Sequence, residues 1–142
     1  MVSVGVRSLH ATTVAWGGRG VVAFGPSGSG KTELALTLMA YGADLVTDDG
    51  TLIRRQGDHL FAEAPSSIRG LIEARGVGIL RAHPVPGARV ALAIDMGQVE
   101  SERLPPERSV SWLGISVPLI FRVVAPHFAP AVLQMLKTGR RK

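Results

Sequence analysis

The chain has no cysteine among its 142 residues, and only 5% of it is aromatic. Without cysteine it can build neither a disulfide framework nor a thiolate zinc site. That absence fits a reducing compartment, and a cytoplasmic protein is the expectation. Long apolar runs are missing too. Val117 to Phe121 stops at Arg122, far short of the ~20 residues a spanning helix needs. The opening segment MVSVGVRSLHATTVAWGG lacks the charged-then-apolar layout of a secretion signal. Neither a membrane association nor an internal repeat is indicated. With 46% hydrophobic and 19% charged residues, the chain is too apolar and too weakly charged for disorder. Its length suits one domain, 1–142, able to bury roughly two-thirds of its unfolded surface.

The net charge of +5 invites a nucleic-acid reading, but the excess is local. Lys137, Arg140, Arg141 and Lys142 supply four of 16 basic residues, leaving 12 against 11 acidic ones, or +1, for the rest. The body is close to neutral and no basic face is expected. Residues 136–142 read as a solvated, frayed tail.

Alternating valines at 2, 4 and 6 predict an opening strand, and Thr12 to Trp16 a second. Gly17 to Gly20 reads as the turn into a short buried strand, Val21 to Phe24. Gly25 to Gly30 is loop by composition. Lys31 to Ala40 (KTELALTLMA) is rich in strong helix formers, and Gly42 ends it. Leu45 to Thr47 resumes a strand that stops at Asp48-Asp49-Gly50. Strands follow at Thr51 to Arg55 and His59 to Ala62. Arg69 to Glu73 is either a strand or a helical turn. Gly76 to Leu80 is an apolar run with two glycines, and Arg89 to Ile94 is a strand. A proline-rich connection spans Leu104 to Arg108, Trp112 to Val124 alternates with interruptions, and Pro130 to Leu136 is a short helix. A mainly β chain around one strongly helical segment belongs to the α/β class with a mixed sheet.

The strongest motif is Gly25-Pro26-Ser27-Gly28-Ser29-Gly30-Lys31-Thr32, a complete match to G-x-x-x-x-G-K-[ST] in the required strand-to-helix context. Its glycines let successive backbone amides turn inward as an anion nest, and the helix N-terminus adds its positive end. Lys31 would place a charge on the β/γ-phosphates and Thr32 a hydroxyl on Mg²⁺. The expectation is a nucleoside triphosphate ligand.

Asp48 and Asp49 lie one helix, one turn and one strand beyond Lys31, at the sheet edge that faces ligands in open α/β folds. One carboxylate could hold Mg²⁺ through water while the other accepts a proton from an attacking hydroxyl. Asp-Asp-Gly is also an ordinary turn sequence. In Leu71-Ile-Glu73-Ala-Arg75-Gly76-Val-Gly78-Ile79 two charges sit inside an apolar run and need partners. A metal or phosphate would serve, and so would an internal Glu73–Arg75 ion pair. His10 and Arg103 do not stand out on physical grounds. His59, His83 and His127 lack metal-ligand spacing, and Trp16 and Trp112 read as core.

Taken together, Ser8-Leu-His10-Ala, Gly25 to Glu33, Val46-Thr-Asp48-Asp49, Leu71 to Ile79, Glu102-Arg103-Leu104 and Val117-Pro118-Leu119-Ile120 resemble the kinase domain of bacterial HPr kinase/phosphorylase. Order and spacing agree from about Ser8 to Ile120. The resemblance implies ATP- and Mg²⁺-dependent phosphorylation of a serine on HPr, the phosphocarrier of a phosphotransferase system. It also implies a nucleotide core like that of phosphoenolpyruvate carboxykinase and a homohexamer. By the same resemblance, Lys31 would stabilise the transferring phosphoryl group, and Thr32 and Glu73 would hold Mg²⁺. Asp49 would be the base, with Asp48 assisting or binding the metal through water. His10 would orient the aspartate, Arg103 would steady transition-state charge, and Arg75, Gly76 and Gly78 belong to the shared motif.

Two departures bear on this. Full-length members carry an additional N-terminal domain, and because this sequence begins almost directly at the kinase-like segment, the expectation is a chain without it. A basic V-R-P-G-R-N-like segment reads here Phe121-Arg122-Val-Val-Ala125-Pro126-His127-Phe128, which implies a weak or absent reverse phosphorylase reaction. Two other readings compete: an ATP-sensing module without transfer, and a small-molecule kinase on the same core.

Overall fold

The computed structural model describes residues 5–141. Eleven strands and two helices follow in order: β1 (Val6–Leu9), β2 (Ala11–Trp16), β3 (Arg19–Phe24), α1 (Lys31–Ala40), β4 (Asp44–Thr47), β5 (Thr51–Gln56), β6 (His59–Glu63), β7 (Leu71–Ala74), β8 (Gly78–Arg81), β9 (Ala88–Val99), β10 (Arg108–Trp112), β11 (Ile115–Arg122) and α2 (Phe128–Thr138). A 3₁₀ turn covers Ser66–Ile68. Of the opening alternation, Val6 lies in β1, whereas Val2 and Val4 fall outside the described residues. The undecided stretch at 69–73 is extended from Leu71 onward. Neither helix among the described residues is long and apolar enough to cross a membrane.

Nine strands form one mixed sheet in the order β1-β5-β6-β9-β3-β2-β4, with β11 and then β10 added on β9. The twelve-residue β9 organises it. One edge pairs in parallel with β3 from Arg89 to Asp95. The opposite edge is shared: β6 takes Ala88 and Arg89, and β11 takes Ala93 to Val99. Two partners on one edge force the sheet to curl. At Gly20/Val21 the register slips by one residue of β9, so Val90 and Leu92 face opposite cores despite sharing parity.

One core lies between the sheet and the helices, joining Val21, Ala23, Leu92 and Ile94 to Leu34, Leu38, Val132 and Leu136. The other fills the curl around Val22, Ile53, Leu60, Trp112 and Val117. Trp112 meets Phe24 edge-on at 5.7 Å between ring centres. Trp16 is only partly buried, with the Lys137 ammonium 5.1 Å from its ring centre.

The turns follow their residues. Gly17-Gly18 and Leu113-Gly114 make two-residue hairpin loops with both φ angles positive, as a type I′ turn demands. Leu113, without glycine's freedom, is clamped by the Arg55 guanidinium donating to its carbonyl at 2.9 Å. Helix α1 ends at Gly42, where the Ala43 amide reaches Leu38 O and the Gly42 amide reaches Met39 O. The C-terminal expectation needs correction. Helix α2 continues through Thr138 and Leu136 is 2% exposed, because it completes the apolar stripe packed on the first core. Loop structure starts only at Gly139.

Candidate functional site

Strand direction gathers the site. β2 is antiparallel to both β3 and β4, so β3 and β4 run the same way and end at the same sheet edge. The Gly25–Thr32 loop leaves the end of β3, and Asp48 and Asp49 leave the end of β4. His10 precedes β2 at that edge. A cleft of about 350 Å³ lies there, lined by Ser27, Gly28, Gly30, Lys31, Thr32, Asp48, Asp49, Glu73 and Arg75 among others. A larger one, about 760 Å³, opens between α2 and β9–β11, and no residue of the Gly25–Thr32 loop lines it.

Gly25, Gly28 and Gly30 take φ angles of +147°, +82° and +95°, which explains their glycines directly. A Cβ on Gly25 would also stand 3.0 Å from the Gly97 amide nitrogen. The loop closes with the Ser29 amide donating to Pro26 O at 3.1 Å. Lys31 is buried, its Nζ donating to Gly25 O at 2.7 Å and Pro26 O at 3.1 Å. Ser29, 8% exposed, buries a hydroxyl that has no hydrogen-bond partner. Ser29 itself does not line the cleft, whereas its neighbours Gly28 and Gly30 do.

The paired aspartates have different surroundings. Asp48 is 8% exposed and accepts three hydrogen bonds: from Thr12 Oγ1 at 3.1 Å, Thr32 Oγ1 at 2.9 Å and the Glu73 amide at 3.1 Å. It ties the helix start, β2 and β7 together. Asp49 has a φ of +56°, a conformation few non-glycine residues adopt and one that recurs at functional sites. Its amide donates to Thr12 Oγ1 at 3.1 Å, and its carboxylate lies 2.5 Å from His10 Nε2, with both side chains more than half exposed. Thr12, buried in β2, therefore positions both acids. Its only sequence signal was a hydroxyl inside a strand.

Glu73 and Arg75 both line the cleft but form no ion pair with each other among the described residues. Gly76 and Gly78, at φ of +83° and +136°, shape the turn of the β7–β8 hairpin. Arg103 is not brought in. It is exposed on the 100–107 connection and does not line the cleft. The tightest ion cluster near it is structural: Glu100 pairs with Arg108, whose guanidinium also lies 4.2 Å from the Phe121 ring centre. Burial raises the Glu100 pKa, but the Glu102 and Ser101 amides and the Arg108 guanidinium lower it further, leaving the net below the ordinary value.

Among the described residues no three His, Asp or Glu side chains form a metal cage. Magnesium rarely uses one, because it binds through one or two carboxylates, phosphates and water. Thr32, Asp48 and Glu73, joined by the Asp48 hydrogen bonds, fit that donor set.

The model of the HPr serine kinase C-terminal domain matches residues 4–100. A protein from Caldicellulosiruptor bescii named HPr kinase/phosphorylase is 39% identical over 130 residues, covering 82% of this chain and 42% of that protein. One of the same name from Geobacillus thermodenitrificans is 37% identical over 116 residues, covering 76% and 36%. The chain thus spans about two fifths or less of these curated relatives. The solved structure of the Hpr(Ser) kinase/phosphatase from Coxiella burnetii superposes with a TM-score of 0.76 at 27% identity, over 92% of this chain and 88% of that one.

Proposed function

The chain belongs to the HPr serine kinase C-terminal domain family, and from that premise we propose that it is an ATP- and Mg²⁺-dependent kinase phosphorylating a serine of HPr. The observation that carries the reading is the exposed Asp49 carboxylate, 2.5 Å from His10 Nε2, on the same cleft as the anion-ready Gly25–Thr32 loop. In this reading the loop amides and Lys31 hold the triphosphate, with Lys31 exchanging its loop carbonyls for phosphate oxygens. Asp49 takes the proton from the serine hydroxyl as its oxygen bonds to the γ-phosphorus. The β–γ bridge breaks and ADP leaves. His10 keeps the carboxylate aimed at the hydroxyl, and its place beside Asp49 supports that positioning role.

Thr32, Asp48 and Glu73 would hold Mg²⁺, which when bound neutralises phosphate charge. Phosphoryl transfer asks mainly for such positioning and neutralisation. A role for Arg103 requires the 100–107 connection to reach the cleft. Reverse phosphorolysis is proposed to be weak, since only Arg122 stands in the 121–128 segment where the family is more basic.

Intact-mass analysis of HPr after incubation with the protein, ATP and Mg²⁺ tests this. One added phosphoryl group is expected. It should be absent with HPr lacking the serine and with Lys31→Ala enzyme. Unmodified HPr, while ATP still binds, would move the assignment to an ATP-sensing module.

A further inference from the structure

Sheet geometry brings a second cation to the Gly25–Thr32 loop from the side away from the acids. β11 runs parallel to β9 and β9 parallel to β3, so Arg122, the last residue of β11, ends at the same edge as Gly25 and Asp48. β4 and β11 each stand two strands from β3, on opposite sides. Between Phe121 and Arg122 the pairing jumps from Asp95 to Val99, so β9 bows out over Met96 to Gln98. A bulge of this kind re-aims a side chain, and such bulges gather near functional sites. Here it turns Arg122 onto the loop. A methyl group at Gly30 would meet Arg122 Nη2 at 3.6 Å, its Cζ at 3.7 Å and Met96 Cε at 3.5 Å.

Arg122 is half-buried, and among the described residues its guanidinium has neither a hydrogen bond nor an ion pair. The nearby Asp95 carboxylate is occupied by the Gly97 amide at 2.9 Å and the Gln98 side-chain amide at 3.2 Å. A partly desolvated guanidinium without an acceptor is unfavourable until an anion arrives. Gly30, the loop residue that Arg122 approaches, itself lines the cleft.

Resting on the nucleotide reading above, we propose that Arg122 binds the non-transferred diphosphate of the nucleotide. The acids Asp48, Asp49 and Glu73 and the Thr32 hydroxyl occupy the β4 flank, where the terminal phosphoryl group and the accepting hydroxyl must meet. Arg122 holds the phosphate chain from the β11 flank. Its contribution is therefore to binding, and it serves ADP as much as ATP.

Calorimetric titration of wild type, Arg122→Gln and Arg122→Lys with MgADP, MgATP and inorganic pyrophosphate tests this, alongside phosphotransfer to HPr. For Arg122→Gln, Kd for ADP and ATP should rise roughly 10- to 100-fold, the range for losing a charge-assisted bond. Arg122→Lys should fall between. kcat at saturating ATP and the melting temperature without ligand should stay near wild type. An ADP Kd within about twofold of wild type, a fall in kcat with KM unchanged, or a matching loss of ligand-free stability that lysine does not rescue would each overturn the proposal. If wild type binds neither ADP nor pyrophosphate, the nucleotide reading falls and takes this one with it. If it binds ADP but leaves HPr unmodified, transfer falls while weaker ADP binding by Arg122→Gln still upholds Arg122.

Discussion

The adjacent acids Asp48 and Asp49 should respond to mutation in opposite ways. Replacing Asp48 by alanine strands three donors, of which Thr12 Oγ1 is deeply buried and Thr32 Oγ1 and the Glu73 amide are partly so. An orphaned buried donor costs about 1–3 kcal/mol, less where water can reach it. Removing the carboxylate also relieves the burial of its charge. The balance is about 2–3 kcal/mol, which for a domain of this size lowers Tm by roughly 6–10 °C. Asp49→Asn loses only an exposed pair with His10, worth about 0–1 kcal/mol. Asparagine also tolerates a φ of +56°. Its Tm should fall by less than about 3 °C, while phosphotransfer drops at least ~100-fold if Asp49 is the base. Thermal unfolding followed by calorimetry reads the first quantity, and HPr mass analysis the second. Equal Tm losses for the two variants, or an Asp48→Ala loss below about 3 °C, would refute the division of labour. An Asp49→Asn enzyme that still transfers phosphate would remove it as the base.

Four further outcomes are expected. Lys31→Ala should abolish the rise in Tm that ATP confers, measured by thermal shift, because the loop loses its buried cation. Gly87→Ala should cost about 2 kcal/mol, since the new Cβ would fall 2.6 Å from Ala62 O and against the Phe61 ring; urea denaturation would show it. Leu38→Ala, removing a side chain that is 1% exposed beneath α1, should cost about 2–5 kcal/mol by the same assay. Glu100 has its folded pKa below the ordinary value. Its contribution is therefore complete above the ordinary carboxylate range and is lost as pH falls through the folded value. Glu100→Gln should flatten the acid limb of the stability profile, and an unchanged limb would contradict the assignment.

Local chemistry made much of this molecule readable from residues alone. The Gly25–Thr32 loop, α1 from Lys31 to Ala40, and β4 running into the paired aspartates follow from glycine freedom, helix propensity and short-range alternation. Those forces act over a few residues, so neighbours in sequence suffice to read them. The Leu71–Ile79 run was ambiguous because an internal Glu73–Arg75 ion pair and a bound metal or phosphate would account equally for charges in an apolar stretch, and only the fold sets both side chains on the cleft without pairing them. The unequal surroundings of Asp48 and Asp49 could not be read, because the Thr12 hydroxyl that separates them comes from a strand 36 residues earlier. Nor could Val90 and Leu92 facing opposite cores, which depends on one slipped register against β3. Leu136 reads as tail until α2 meets the sheet. In sequence Arg122 was only the single arginine of the 121–128 segment, and a bulge against β9 sets it beside Gly30. Sequence by itself determined the loop, the helix behind it and the residue types of the candidate site, because each is encoded by adjacent residues. Only the tertiary structure decided which acid is buried, which is exposed and which cation faces the loop, because strand pairing and register bring those side chains together across long stretches of chain.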